Sequence, residues 1–277
     1  YLQSFSQIIM RLQVNKIYSL SVLIFIIVFL FSWWSHPSLI PKTSPDSWGY
    51  INLSENFSHD ASEIRPFFFP LFLKFCRIIS ATYWLKIFSG IQISFHSLIS
   101  VLLFNAYLKL NIKKSFAIIL SLIIGFNPSL IYYSTYLLAD HLLAILTTLA
   151  CLCSIKSIEL YNKNKKINIY LILSGIFSGL AVVTKPIAIL GIVPILVLYF
   201  FNFRTKLESI KIIILLLLIH FSFHFSWEKY KEFNNPSSKF ELLDSLEYSI
   251  NMTAIRGGLI EDGKGTPLYN TILDNNL

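Results

Sequence analysis

Pro45-Asp46-Ser47-Trp48-Gly49-Tyr50 and, fifteen residues on, Arg65-Pro66-Phe67-Phe68-Phe69-Pro70 interrupt a sequence that is otherwise mostly apolar. A carboxylate just outside a hydrocarbon segment can take a proton from a hydroxyl. A guanidinium can hold a phosphate with two parallel hydrogen bonds. Both also have plain structural readings. Asp46 could cap a short helix through Ser47-Trp48-Gly49-Tyr50, and Arg65 could extend to lipid headgroups. Further along stand Asp140 with His141, Lys185, and the pair His220 and His224. Ionisable groups in or beside hydrocarbon cost free energy and so mark candidate sites. Asp140 near an interface could equally be solvated, and Lys185 could reach headgroups. His220 and His224, one turn apart, share a helix face and read first as packing or interhelical hydrogen-bonding groups.

The surroundings of these residues define the class. Only 14% of the chain is charged and its mean hydropathy is +0.62, whereas soluble domains carry about 25% charged residues. The chain is therefore read as an all-α polytopic membrane protein. The net charge of +8 fits cytoplasmic loops beside anionic lipid. It does not indicate a nucleic-acid partner, because no basic domain with interleaved stacking residues lies outside the apolar segments. Cys76, Cys151 and Cys153 form no disulfide framework, and Cys151-Leu152-Cys153 reads as small apolar filler in a helix. No phosphate-binding glycine loop, dinucleotide pattern or zinc-protease motif occurs. The chain starts at Tyr1 and ends in Asp274-Asn275-Asn276-Leu277. That reads as a piece of a longer protein.

About 20 apolar residues cross a bilayer as a helix. Segments near that length predict seven spans, at 17–34, 87–108, 115–133, 136–155, 168–184, 187–202 and 209–227. Four basic clusters fall on one side: Arg11 and Lys16; Lys109, Lys113 and Lys114; Lys156, Lys163, Lys165 and Lys166; Arg204, Lys206 and Lys211. The positive-inside rule then makes the N-terminus cytoplasmic. Asp46, Arg65, Asp140, Lys185 and the two histidines of span seven all fall toward the outer side. Ser134-Thr135 and Lys185-Pro186 form short outer turns, and Asp140 is expected about one turn into span four. The long first outer loop, 35–86, holds an expected interfacial helix at 66–80, with Phe67, Phe68, Leu71, Phe72, Phe75, Ile78 and Ile79 apolar and Lys74 and Arg77 on one face. Residues 1–227 are read as the membrane core. Residues 228–277 are read as an outer loop or the start of a further C-terminal region.

Four motifs in this order resemble the lipid-linked-sugar glycosyltransferases of the GT-C class, the group of protein O-mannosyltransferases and aminoarabinose transferases. The chain looks closest to the bacterial RgtA/B/C/D-like branch. Asp46-Ser47-x-x-Tyr50 resembles the family's acidic motif after the first span. Arg65-Pro66-x-x-x-Pro70 resembles its Arg-Pro aromatic run. Asn127-Pro128 through Leu138-Ala139-Asp140-His141-Leu142 resembles its Pro-then-acid passage, with Asp for Glu. Gly175-x-x-x-Gly179 through Thr184-Lys185-Pro186 resembles the Gly-rich span ending in Lys-Pro or Arg-Pro. The tail around Asn251 and Arg256-Gly257-Gly258 resembles the outer loop that completes the family's site. Many relatives carry Asp-Glu where this chain has Asp46-Ser47.

The resemblance implies a GT-C-like helix bundle and an inverting transfer from a polyprenyl-phosphate sugar to a glycolipid, polysaccharide or protein. Asp46 would be the base. Tyr50, Arg65, Asp140, Lys185 and Arg256 would bind substrate. No cofactor is implied, although Asp46 and Asp140 could share a divalent metal. The expected setting is a bacterial inner membrane with the site on its periplasmic or outer side. The rival reading is a transporter or flippase for a lipid-linked substrate, which predicts broken helices and binding near the midplane.

Overall fold

A computed structural model describes residues 2–57, 65–164, 166–202 and 206–234, with the backbone alone for residues 2–16, 45 and 234. The described residues are almost entirely helical. In chain order the helices are α1 (Leu2–Ser35), α2 (Pro45–Glu55), α3 (Phe68–Ile79), α4 (Trp84–Lys109), α5 (Lys114–Gly125), α6 (Pro128–Ser134), α7 (Asp140–Asn164) and α8 (Ile169–Val182). A 3-10 turn, Pro186–Gly191, leads into α9 (Ile192–Asn202), and α10 (Lys206–Asn234) follows. The expected spans are mostly helical, but they are unequal. Ile17–Ser35, Trp84–Lys109, Asp140–Asn164 and Lys206–Phe233 have the length and hydropathy to cross a bilayer. Ile169–Val182 and Pro186–Asn202 are shorter.

The expected straight span at 115–133 is corrected. It is two helices, α5 and α6, bent by 49°. The cause is Asn127-Pro128. Proline has no N–H to continue the helical ladder. The Asn127 side chain instead starts a new helix, its carbonyl oxygen accepting from the Ser129 and Leu130 amides at 3.0 and 3.2 Å. The fourth span is also corrected: residues 136–139 are not helical, and Asp140 is the first residue of α7 rather than one turn inside it. Phe67 precedes α3, which otherwise matches the interfacial helix expected at 66–80. On α3, Phe69, Leu73 and Cys76 are fully buried while Leu71, Phe75, Ile78 and Ile79 are exposed. An apolar exposed face is stable in lipid and not in water. Burial pushes the Cys76 thiol up to about 11, so it stays a neutral thiol.

The chain divides into two compact units, Tyr1–Trp48 with Phe72–Thr148, and Gly49–Leu71 with Leu149–Leu277. In the first unit α1, α4 and α5 pack together. Ile24, Val28 and Ser32 recur every four residues on the buried face of α1, and Ile24 and Val28 meet Phe104 and Ala117. Gly125 lets α5 approach closely: a Cβ there would strike the Val28 side chain and the Ser100 hydroxyl.

In the second unit α8 packs on α10. Gly175 and Gly179 make this possible, since a Cβ on either would fall 2.6–2.9 Å from Ile219, Phe223 or the His220 carbonyl. This is the small-residue packing that brings membrane helices together. The Ser154 and Ser174 hydroxyls, 2.6 Å apart, both reach the Ala150 carbonyl and fasten α7 to α8. Leu171, Ile192, Ile195, Tyr199, Ile212 and Leu216 complete the core.

Candidate functional site

In the first unit, the irregular segment between α6 and α7 is paired through Tyr136 with Lys42, which precedes α2. The Lys42 amide donates to the Thr135 carbonyl at 2.8 Å, and the Leu137 amide donates to the Lys42 carbonyl at 2.9 Å. Ser47 completes the tie. Its hydroxyl, fully buried, donates to the Leu137 carbonyl at 2.8 Å and accepts from the Ser44 amide at 2.9 Å. The turn that carries Asp46 is thus fastened to the segment that ends at Asp140. Asp46 lies in the first turn of α2, after Pro45, and is exposed. Asp140, half-buried, opens α7. Helix N-termini favour acidic side chains in general, and both residues stand at one. Ser47 holds the backbone of this acidic corner.

Lys42 was not singled out by its sequence context. Its ammonium lies 5.2 and 5.8 Å from the ring centres of Tyr132 and Tyr136, whose hydroxyls are 2.6 Å apart. That hydrogen bond raises the Tyr136 pKa. Only the two tyrosines spaced four apart hinted at such a platform.

In the second unit the candidates are cationic. The Arg65 guanidinium carbon stands 4.5 Å from the Tyr50 ring centre, a cation–π contact worth roughly 0.5–2 kcal/mol. Tyr50 is buried and meets Phe69 edge-on, with ring centres 4.8 Å apart. Gly49 makes room for this arginine: a Cβ there would collide with the guanidinium nitrogen. Three residues after Arg65, the Phe68 amide donates to the Val183 carbonyl at 3.0 Å. The Arg65–Phe68 segment is thus attached to the end of α8, two residues before Lys185. Lys185 is extended and half-buried ahead of the Pro186 turn.

Beside this segment is a cavity of about 300 Å³ lined by Phe57, Phe67, Ser226, Trp227 and Tyr230. Phe67 and Trp227 are 5.0 Å apart by ring centres, and Trp227 stacks on Tyr230 at 5.4 Å. One turn beyond, buried Lys231 pairs with Glu228 at 2.9 Å, and Glu228 lies 3.9 Å from His224. His220 shares a 3.0 Å hydrogen bond with Ser178. His220 therefore links α10 to α8, and His224 lies on the same face beside Glu228. The spacing 220, 224, 228, 231 was the available signal for this polar face.

Arg256 lies outside the described residues. Among the described residues, no three His, Cys, Asp or Glu side chains gather to hold a metal.

A model of the dolichyl-phosphate-mannose-protein mannosyltransferase family matches residues 81–239. The matched stretch holds Asp140 and Lys185; Asp46, Tyr50 and Arg65 precede it, and Arg256 follows. No curated protein and no solved structure matches the chain.

Proposed function

The chain belongs to the dolichyl-phosphate-mannose-protein mannosyltransferase family, and from that premise we propose how its residues divide the work of glycosyl transfer. It is an integral membrane glycosyltransferase that uses a polyprenyl-phosphate-linked sugar. We assign Asp46 as the base. Its carboxylate takes the proton of the acceptor hydroxyl, and the oxygen attacks the anomeric carbon from the face opposite the phosphate. The bond from that carbon to the phosphate oxygen breaks with inversion, and the electron pair leaves on polyprenyl phosphate. Lys185 and Arg65 hold the charge that grows on this leaving group, the usual task of fixed cations in such transfers. Asp140 accepts a sugar hydroxyl or orients a cation. Tyr50 positions Arg65, and Arg256 belongs to the same substrate-binding set.

One observation carries this reading. The Arg65–Phe68 segment is joined to the end of α8 by the Phe68–Val183 hydrogen bond, next to an aromatic cavity of about 300 Å³. Cations beside an apolar, aromatic-lined cavity suit an anionic lipid phosphate. The cavity is the size of a small-ligand pocket and would take the isoprene units nearest the phosphate. We place the reaction on the outer, periplasmic side of a bacterial inner membrane, because the basic clusters assign the opposite side to the cytoplasm. Residues 1–227 form the catalytic core in this reading, with 228–277 an outer loop or the start of a further region. The acceptor is a glycolipid, a polysaccharide or a protein hydroxyl, and the sugar a hexose or pentose.

The test is reconstitution in liposomes with a panel of radiolabelled polyprenyl-phosphate sugars and membrane acceptors, with and without chelator. Transfer of label from one donor is expected. Movement of an intact donor across the bilayer without bond cleavage would replace the enzyme reading with a flippase. Loss of transfer in chelator would assign a shared divalent ion to Asp46 and Asp140.

A further inference from the structure

Ser89, Gln92, His96 and Ser100 lie three, four and four residues apart on α4, which puts them on one helix face. All four are 0–1% exposed. Yet the Ser89 and Ser100 hydroxyls, both atoms of the Gln92 amide and His96 Nδ1 have no hydrogen-bond partner among the described residues. His141, 3% exposed, brings a fifth such group, its Nε2. The His96 and His141 ring centres are 5.4 Å apart.

The chemistry of these atoms is specific. His96 Nε2 lies 2.9 Å from the Gly125 carbonyl. A carbonyl only accepts, so Nε2 carries the proton, and in the neutral ring Nδ1 is a bare acceptor. The Gln92 amide offers both donors and acceptors, and the serines offer either. Leaving such groups unpaired in a buried site is costly, and five residues in that state together would take a large share of a domain's stability. None of these side chains is a carboxylate or an ammonium, so the set does not suit an ion. It suits a small neutral molecule that donates and accepts in equal measure.

We propose that this face of α4, together with His141, is an internal water-binding site: a file of water about 16 Å long from Ser89 to Ser100, touching the residue next to Asp140. Buried waters typically make about three hydrogen bonds each to groups of this kind. The site explains how α4 keeps four polar side chains inside an apolar span. It also places exchangeable protons one residue from Asp140. It is independent of the glycosyl-transfer assignment.

The experiment is water-edited solid-state NMR on the full chain in bilayers, labelled with 15N-histidine. Magnetisation from water should build up quickly on the His96 and His141 rings, assigned by loss of each signal in His96→Phe and His141→Phe. No transfer to either ring overturns the proposal. Gln92→Leu provides the second arm, by the sign of its effect. An amide paired with water is worth more than the leucine, and the variant should melt a few degrees lower. An unchanged or higher melting temperature shows a dry, unpaired amide and overturns the proposal. So does one equivalent of bound metal that disappears in His96→Ala.

Discussion

In one unit the candidate residues are carboxylates held by backbone. Asp46 and Asp140 stand at two helix starts, joined through the Lys42–Tyr136 pairing and the Ser47–Leu137 hydrogen bond. In the other unit they are cations held by aromatic rings and one backbone tie: Arg65 on Tyr50, and Lys185 just past the carbonyl that anchors Phe68. The acidic corner is built from backbone and serine hydrogen bonds. The cationic unit has a cavity walled by Phe57, Phe67, Trp227 and Tyr230. Transfer from a lipid phosphate to a hydroxyl has the same two requirements, a base for the acceptor and a cationic, apolar seat for the donor. The comparison therefore predicts a kinetic division. Changes in the acidic unit should fall on kcat, and changes in the cationic unit on donor affinity.

The largest expected effect is in the acidic unit. Asp46→Asn keeps the size of the side chain and removes the base. It should lower kcat by about a thousandfold, within the range for a lost general base, with donor binding unchanged. Equal losses in kcat and donor affinity would show that Asp46 touches the donor, and the division would fail. Lys185→Ala comes next. Losing one charge-assisted hydrogen bond to phosphate costs roughly 1.5–3 kcal/mol. A donor KM raised about ten- to a hundredfold is expected, and an unchanged donor affinity removes Lys185 from the phosphate site. Arg65→Lys should fall between wild type and Lys185→Ala. Lysine keeps the charge but loses the planar fork.

Trp227→Ala sharpens the comparison within the cationic unit. It removes a wall of the cavity shared with Phe67 and Tyr230. Its effect should grow with the lipid: a several-fold rise in KM for a long polyprenyl donor and little change for a donor with one or two isoprene units. The same rise for both donors would mean that the cavity holds something other than the chain.

The all-helical, apolar character of the chain was legible because hydropathy over about 20 residues reports directly on lipid burial, and four or five of its helices have membrane-spanning length. What was not legible depended on single residues that redirect the backbone. Asn127-Pro128 stood inside a continuous apolar run, and hydropathy does not register that one cap and one missing N–H break it. Tyr136-Leu137-Leu138-Ala139 is as apolar as any helix. It is not helical, and Lys42 and Ser47, about ninety residues earlier, take its backbone hydrogen bonds. That pairing is non-local and invisible to a sliding window. Of the site, Asp46, Arg65, Asp140 and Lys185 stood out because charges are rare in such a chain. Lys231 and Glu228 did not, because near the end of a span they look like ordinary surface charges. The orphaned face of α4 was missed for the opposite reason: serine and glutamine are too mild to interrupt a hydropathy window.

The smallest expected effect tests whether the acidic unit carries a titrating group of its own. His36 follows the end of α1, is buried, and its Nε2 has no hydrogen-bond partner among the described residues. Burial, the largest influence, holds its pKa below the ordinary 6.5; the Ile40 backbone hydrogen bond pulls it back up, and the nearby Lys42 charge adds a smaller push downward. The folded state therefore prefers the neutral ring, and the unfolded chain binds the proton more readily. Stability from this group is complete above about pH 6.5. It is lost as pH falls from there toward the lowered folded pKa. The wild type should melt progressively lower through that window, and His36→Gln should flatten part of the slope. An identical slope in the variant would put the acid sensitivity elsewhere in the fold.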